Sequence, residues 1–150
     1  MIVLRRSGVQ ALKALLELAN EPSQWRSVSA IDQAQALPAP MLEQLVLQLR
    51  RAGLVEARRG RWGGYRLGQS PSQIKVSAVL EAVGSTAPSL DSDAAEGLSA
   101  GAEDRVLLAL QRRLQRALER ELAELSLEEL IFDLRSWQET LGNGGGLMLG

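Results

Sequence analysis

PMLEQLVLQLRRAGLVEARRGRWGGYRL, residues Pro40 to Leu67, carries two different periodicities back to back. In its first half Leu42, Leu45, Val46 and Leu49 recur at i, i+3, i+4 and i+7, the spacing of a helix with one buried stripe. Pro40 suits the first residue of that helix, where a missing N–H costs no hydrogen bond, and Gly53 suits its C-terminal cap. Pro40, Gln44, Leu47 and Arg51 lie opposite the stripe, with Glu43 and Gln48 on the flanks. In the second half Leu54-Val55 and Tyr65-Arg66-Leu67 read as short strands, and the glycines between them supply the positive φ values of a hairpin turn.

Outward from this stretch the pattern stays helical. SGVQALKALLELANEP spaces Val9, Leu12, Leu15, Leu16 and Ala19 along one face of a helix from about Ser7 to Asn20, ended by Pro22. SAIDQAQA gives a short helix with Ala30, Ile31 and Ala34 on one side and Ser27 or Ser29 as N-cap. Leu37-Pro38-Ala39 turns the chain into the helix at Pro40, so the pair forms a helix-turn-helix, and the basic hairpin that follows makes it a winged one. After Pro71 a helix from Gln73 to Val83, with Ile74, Val76, Val79, Leu80 and Val83 apolar, packs back on the first three.

Residues 85–104 turn to small and acidic side chains and read as a mobile acidic linker. RVLLALQRRLQRALERELAEL then sets Leu107, Leu110, Leu114, Leu118, Leu122 and Leu125 in a stripe with Arg and Glu opposite, a long amphipathic helix outside the core that invites a partner helix. Ser126 and Glu129 have the form of a capping box, with Leu125 and Leu130 as a hydrophobic staple, starting a last helix that Gly142 stops at about Leu141. The expected fold is mainly α with a small β-hairpin. Its parts are a winged helix-turn-helix domain over 1–84, the linker, a dimerisation helix and short C-terminal helix over 105–141, and a disordered tail over 142–150.

Composition narrows the chemistry. The sequence has no Cys and no His, which removes disulfides, thiolate and imidazole metal sites, cysteine nucleophiles and every histidine-based triad. Lys13 and Lys75 read as surface positions, so no enzyme is expected. Asp91, Asp93, Glu96, Glu103 and Asp104 match no calcium-loop spacing and read as solvated carboxylates, leaving no metal and no cofactor. No window reaches the ~18 apolar residues of a membrane span, and the expected location is the cytoplasm. The net charge of −1 hides an asymmetry: residues 1–84 hold eleven Lys/Arg against six Asp/Glu, and residues 85–150 hold six against twelve. Arg50, Arg51, Arg58, Arg59, Arg61 and Arg66 are opposed locally only by Glu56. Such a patch suits a polyanion or is a solvated face.

The joined motif resembles the signature of the Rrf-two (IscR-like) family of bacterial transcription regulators: a LEQ core in the recognition helix, an LRxAGLV segment and an RGxxGGYxL wing. VLRRSGVQALKALLELA and IKVSAVLEAV extend the likeness over residues 1–84, and the long helix with LSLEELI matches more loosely. The resemblance implies a winged helix domain, a long helix that pairs two subunits, and double-stranded DNA as partner. Many members bind an iron–sulfur cluster through three cysteines between domain and helix. This chain has no such cysteine, and no His to replace one.

A helix in the major groove reads base edges from its N-terminal residues. Gln44 can bond adenine bidentately, Glu43 can accept from a cytosine amine or instead be a helix-surface charge or the partner of an arginine, and Pro40 and Met41 can touch a thymine methyl, with Arg51 on the same outward face. Arg59 aligns with the family's wing arginine and is expected in the minor groove. Arg58 and Arg61 are expected at phosphates, and Arg5, Arg6, Ser27 and Ser29 as further phosphate anchors. Tyr65 reads as an aromatic tying the sheet to the helices. Trp62 stands where the family has a small residue, and stacking on a sugar, wedging at the groove edge and covering the hairpin all fit it. A homodimer on a palindromic operator is expected, the rival being a degenerate winged helix that binds an acidic protein.

Overall fold

The computed structural model describes residues 4–85 and 101–148, with side chains described as far as residue 143. Six helices and one hairpin follow in the order α1 (Arg6–Asn20), α2 (Val28–Gln35), α3 (Ala39–Arg51), β1 (Val55–Arg58), β2 (Gly64–Leu67), α4 (Val76–Ala82), α5 (Ala102–Glu124) and α6 (Leu127–Met148).

Helix α1 is the hub, in contact with α2, α3, β2, α4 and α6. It is therefore buried over more of its circumference than a single stripe predicts: Ala11, Ala14 and Leu18 are enclosed along with Leu12, Leu15 and Ala19, whereas Val9 is exposed and Leu16 only half-buried. Gly8 marks the closest approach, since a Cβ there would lie 2.6 Å from the side chains of Leu80 and Ser85. The core fills with Leu15, Leu18, Ile31, Leu42, Val46, Leu49, Ile74 and Val79, so the stripe expected on α3 faces inward.

The caps explain where the helices end. Ser27, not Ser29, caps α2, its Oγ accepting the Ala30 N–H at 3.1 Å. Helix α3 starts one residue before the expected position, with Ala39 ahead of Pro40. At its end the Gly53 N–H donates to the Arg50 carbonyl and the Leu54 N–H to the Leu49 carbonyl, with Gly53 at φ +76, the left-handed stop that turns the chain into β1.

The C-terminal helices depart most from expectation. Helix α5 begins at Ala102, inside the span read as linker, because Glu103 and Asp104 in its first turn complement the helix dipole. Its C-terminal end is not outside the core: Leu122 and Leu125 pack against it, and so do Leu130 and Ile131 of α6, while Leu127 is 1% exposed. Backbone pairing fixes this junction, the Val76 N–H donating to the Leu125 carbonyl at 2.9 Å and the Leu127 N–H to the Ile74 carbonyl at 2.8 Å. Ser126 caps α6 through the Glu129 N–H at 3.4 Å. The stop expected at Gly142 is absent, as α6 continues to Met148 through the span read as disordered. Glycine disfavours helix by about 1 kcal/mol per position without forbidding it. Gly142 does not take the positive φ of a terminating cap.

Ala36, the cap residue after α2, sits at φ +52, ψ +44, a left-handed conformation costing a residue with a Cβ about 1–2 kcal/mol. Ala36→Gly is expected to raise stability by about 0.5–1 kcal/mol, read as a rise of a few degrees in Tm. An unchanged or lowered Tm contradicts that assignment.

Candidate nucleic-acid interface

The hairpin is antiparallel, with Val55 opposite Leu67, Glu56 opposite Arg66, Ala57 opposite Tyr65 and Arg58 opposite Gly64. Strand alternation sends Val55, Ala57, Tyr65 and Leu67 toward the helices and Glu56, Arg58 and Arg66 to the other face. Tyr65 is partly buried against the core, as its aromatic character suggests.

A third segment completes the sheet. The Arg26 N–H donates to the Tyr65 carbonyl at 2.8 Å and the Tyr65 N–H to the Arg26 carbonyl at 2.7 Å, pairing the α1–α2 connection with β2. Gly64 is required by this approach, because a Cβ there would stand 2.5 Å from the Arg26 carbonyl oxygen and its φ is +143. A Cβ on Gly63 would run into the Arg58 carbonyl. The Arg26 side chain reaches the buried carboxylate of Glu17 at 3.1 Å, which also accepts from Gln35 at 2.8 Å and Asn20 at 3.4 Å. One carboxylate of α1 thus ties α2 and the wing's neighbour to the domain.

The expected site residues reach the surface on three elements. On α3, Pro40, Met41, Glu43, Gln44 and Arg51 are exposed and Leu47 is half-buried. Among the described residues no ion pair joins Glu43 to an arginine, so it stands as an exposed charge on the helix surface. On the wing, Arg58, Arg59, Arg61 and Trp62 are exposed. Trp62 is 76% exposed with the Arg61 guanidinium 5.5 Å from its ring, so it does not cover the hairpin. At the helix starts, Ser27, Ser29, Arg5 and Arg6 are all exposed. A cleft of about 270 Å³ between the start of α2 and the wing tip is lined by Trp25, Arg26, Ser27, Ala30, Arg61, Trp62 and Gly63, so the wing and the first helix of the motif share one surface.

Few of the charges there are met by a carboxylate. Among the described residues Arg66 alone of the six clustered arginines has a carboxylate partner, Glu56 at 3.0 Å. Arg5 and Arg6 sit at the positive end of α1 with no acidic residue in its first turn, an arrangement the helix dipole disfavours. Arg50 and Arg51 are favoured in the last turn of α3, so the charge that local electrostatics does not call for is that of Arg5, Arg6 and the wing.

The leucine stripe of α5 divides. Leu107, Leu110 and Leu114 are 49%, 48% and 51% exposed, and Val106 beside them is 67% exposed. Leu118 and Leu122 instead line a cleft facing Leu80 and Glu81 of α4, and Leu122 and Leu125 serve this chain's own core. Asp91, Asp93 and Glu96 lie outside the described residues; Glu103 and Asp104 occupy the first turn of α5. No helix of the described residues is long and apolar enough to cross a membrane.

Sequence reasoning passed over Glu17, Trp25 and Arg26. Glu17 had a signal, a carboxylate between the buried residues Leu15 and Leu18; Trp25 and Arg26 had none beyond their residue type.

Residues 4–133 match the Rrf2 family, described as "Iron-dependent Transcriptional regulator". A Synechocystis sp. protein, slr0846, provisionally named an HTH-type transcriptional regulator, is 40% identical over 89% of this chain and 90% of its own length. The HTH-type transcriptional regulator IscR of Cereibacter sphaeroides is 38% identical over 74% of this chain and 72% of its own. Among solved structures, T. potens IscR superposes with a TM-score of 0.71 at 29% identity over 90% of each chain. CymR (YrzC), the global cysteine regulator of B. subtilis, gives 0.67 at 29% identity over 87% of this chain and 97% of that one. Iron in the family's description finds no thiolate or imidazole donor in this sequence. The sequence has neither Cys nor His, and among the described residues no three carboxylates gather to hold a metal. The residues present do not fit an iron–sulfur cluster.

Gly64→Ala should undock the hairpin from Arg26, costing about 2 kcal/mol or more and lowering Tm by at least about 4 °C. A variant as stable as the parent would show that the close approach is not needed.

Proposed function

The chain belongs to the Rrf2 family of helix-turn-helix transcription regulators, and on that footing we propose that it binds a palindromic DNA operator as a homodimer without a protein-ligated iron–sulfur cluster. The observation that carries this reading is the wing: Arg58, Arg59 and Arg61 stand exposed, with no carboxylate partner among the described residues, and Arg61 lines a cleft with the start of α2. Helix α3 enters the major groove with Gln44 on an adenine, Glu43 on a cytosine amine, and Pro40 and Met41 against a thymine methyl, while Arg51 meets the backbone.

Arg59, the first residue of the turn, enters the minor groove. Arg58 and Arg61 meet phosphates, and Trp62 with Arg61 over its ring lies at the groove edge. The exposed N–H groups at the α2 start, with Ser27 and Ser29, hold a phosphate on the other side of the cleft, and Arg5 and Arg6 add charge. Absence of thiolate and imidazole donors supports regulation that does not run through a bound cluster. A cytoplasmic location follows from a DNA target.

One winged unit buries little surface, and two on a pseudo-palindrome supply the affinity of a specific site. Leu107, Leu110 and Leu114, about half exposed on a long helix, are the contact through which two copies pair. Leu118 contributes at the edge of that contact, whereas Leu122 and Leu125 hold α5 to its own domain.

Arg59→Ala is expected to weaken operator binding about ten-fold or more, roughly 1–3 kcal/mol, with helical circular dichroism unchanged. Equal affinity for the variant would remove Arg59 from the interface. Binding to duplex DNA with a steep fall in affinity with salt, lessened by about one unit of slope in Arg61→Ala, separates DNA from an acidic protein partner. Sedimentation at micromolar concentration should give a dimer for the parent and a monomer for Leu114→Glu; a monomeric parent contradicts the pairing surface.

A further inference from the structure

The outer face of the hairpin carries Glu56 and Arg58 on β1 and Arg66 on β2, and Trp25 of the α1–α2 connection lies across it. The Arg66 guanidinium carbon is 4.3 Å from the centroid of the Trp25 ring, and that of Arg58 is 5.7 Å from the same ring. Arg66 is also fixed from its other side, its Nε donating to the Glu56 carboxylate at 3.0 Å. One indole therefore meets a guanidinium from each strand, a favourable arrangement because the ring face is the negative part of its quadrupole.

Trp25 is half-buried and adjacent to Arg26, whose backbone pairs with Tyr65. Two consecutive residues thus grip the hairpin, one by its ring and one by its peptide groups. The contact lies at the strand end from which the turn departs, since Arg58 closes β1 and Arg59 follows it. Trp25 also lines the cleft that faces Ser27 across to Arg61 and Trp62.

We propose that Trp25 is the positioning residue of the wing. By stacking on Arg66 and Arg58 it sets the hairpin's angle against α2 and presents Arg58, Arg59 and Arg61 in one arrangement before DNA arrives. Side chains ordered in advance are not ordered at the expense of binding. The DNA part of this inference rests on the wing reading above; the ordering part does not.

Trypsin tests the two parts separately, because cleavage after Arg58, Arg59 and Arg61 speeds up as local opening of the wing becomes easier. In Trp25→Ala without DNA, wing cleavage under native conditions should speed up by about five-fold, within the range a lost cation–aromatic pair gives, with helical circular dichroism unchanged. Trp25→Phe, which keeps a ring, should restore most of the protection. If Trp25→Ala fails to fold, Arg66→Met, which removes the cation and keeps the stem, carries the same expectation. Operator affinity should fall with the protection and return with it in Trp25→Phe. Cleavage of Trp25→Ala within two-fold of the parent overturns the proposal, as does faster cleavage with full operator affinity. If the parent itself binds no duplex, the DNA reading fails while the cleavage rates still decide whether Trp25 orders the wing.

Discussion

Two hydrogen bonds between Arg26 and Tyr65 set the geometry on which the rest depends. A two-stranded hairpin has little independent stability in water, so a wing must be held by something outside itself. Here the holding segment is the connection between α1 and α2, and the Glu17 carboxylate fixes it by accepting from Arg26, Gln35 and Asn20. Gly64 has no side chain because the Arg26 backbone occupies that space. The consequence is positional: the wing tip and the start of α2 face each other across one cleft.

The same economy of contacts governs the other end of the chain. Residues 125–127 exchange backbone hydrogen bonds with Ile74 and Val76, so the α5–α6 junction is tied to the winged domain just before α4. Helix α5, 23 residues and therefore about 35 Å long, is held at its C-terminal end and turns bare leucines outward nearer its beginning. A partner helix closing on those leucines would move with the winged domain. Charge divides along the same line in sequence, net positive over residues 1–84 and net negative over residues 85–150.

Much of the fold was legible because its core helices carry clean local periods: the buried stripe Leu42, Leu45, Val46 and Leu49 falls where spacing places it, and Gly53 turns the chain as a cap should. What was not legible depends on pairing between distant residues. Nothing local marks Arg26 as the partner of Tyr65, or Trp25 as the ring under Arg58 and Arg66. Val9 misled because α1 is surrounded, and packing on several sides erases a single stripe. The leucines of α5 form one period in sequence yet serve two surfaces, since periodicity records that a face is apolar and not what covers it. Gly142 read as a stop, but it does not take the positive φ of a C-terminal cap and the helix runs on. Of the site, the exposure of Arg58, Arg59, Arg61, Glu43 and Gln44 was legible; the cleft joining wing and α2 was not.

The most direct measurement of the central claim is selection of bound duplexes from a random pool by the purified protein. The account predicts enrichment of a two-fold symmetric sequence whose half-sites lie about one helical turn apart, with A/T-rich positions where the wings reach the minor groove. Recovery of an unenriched pool, or of a sequence without symmetry, would contradict it.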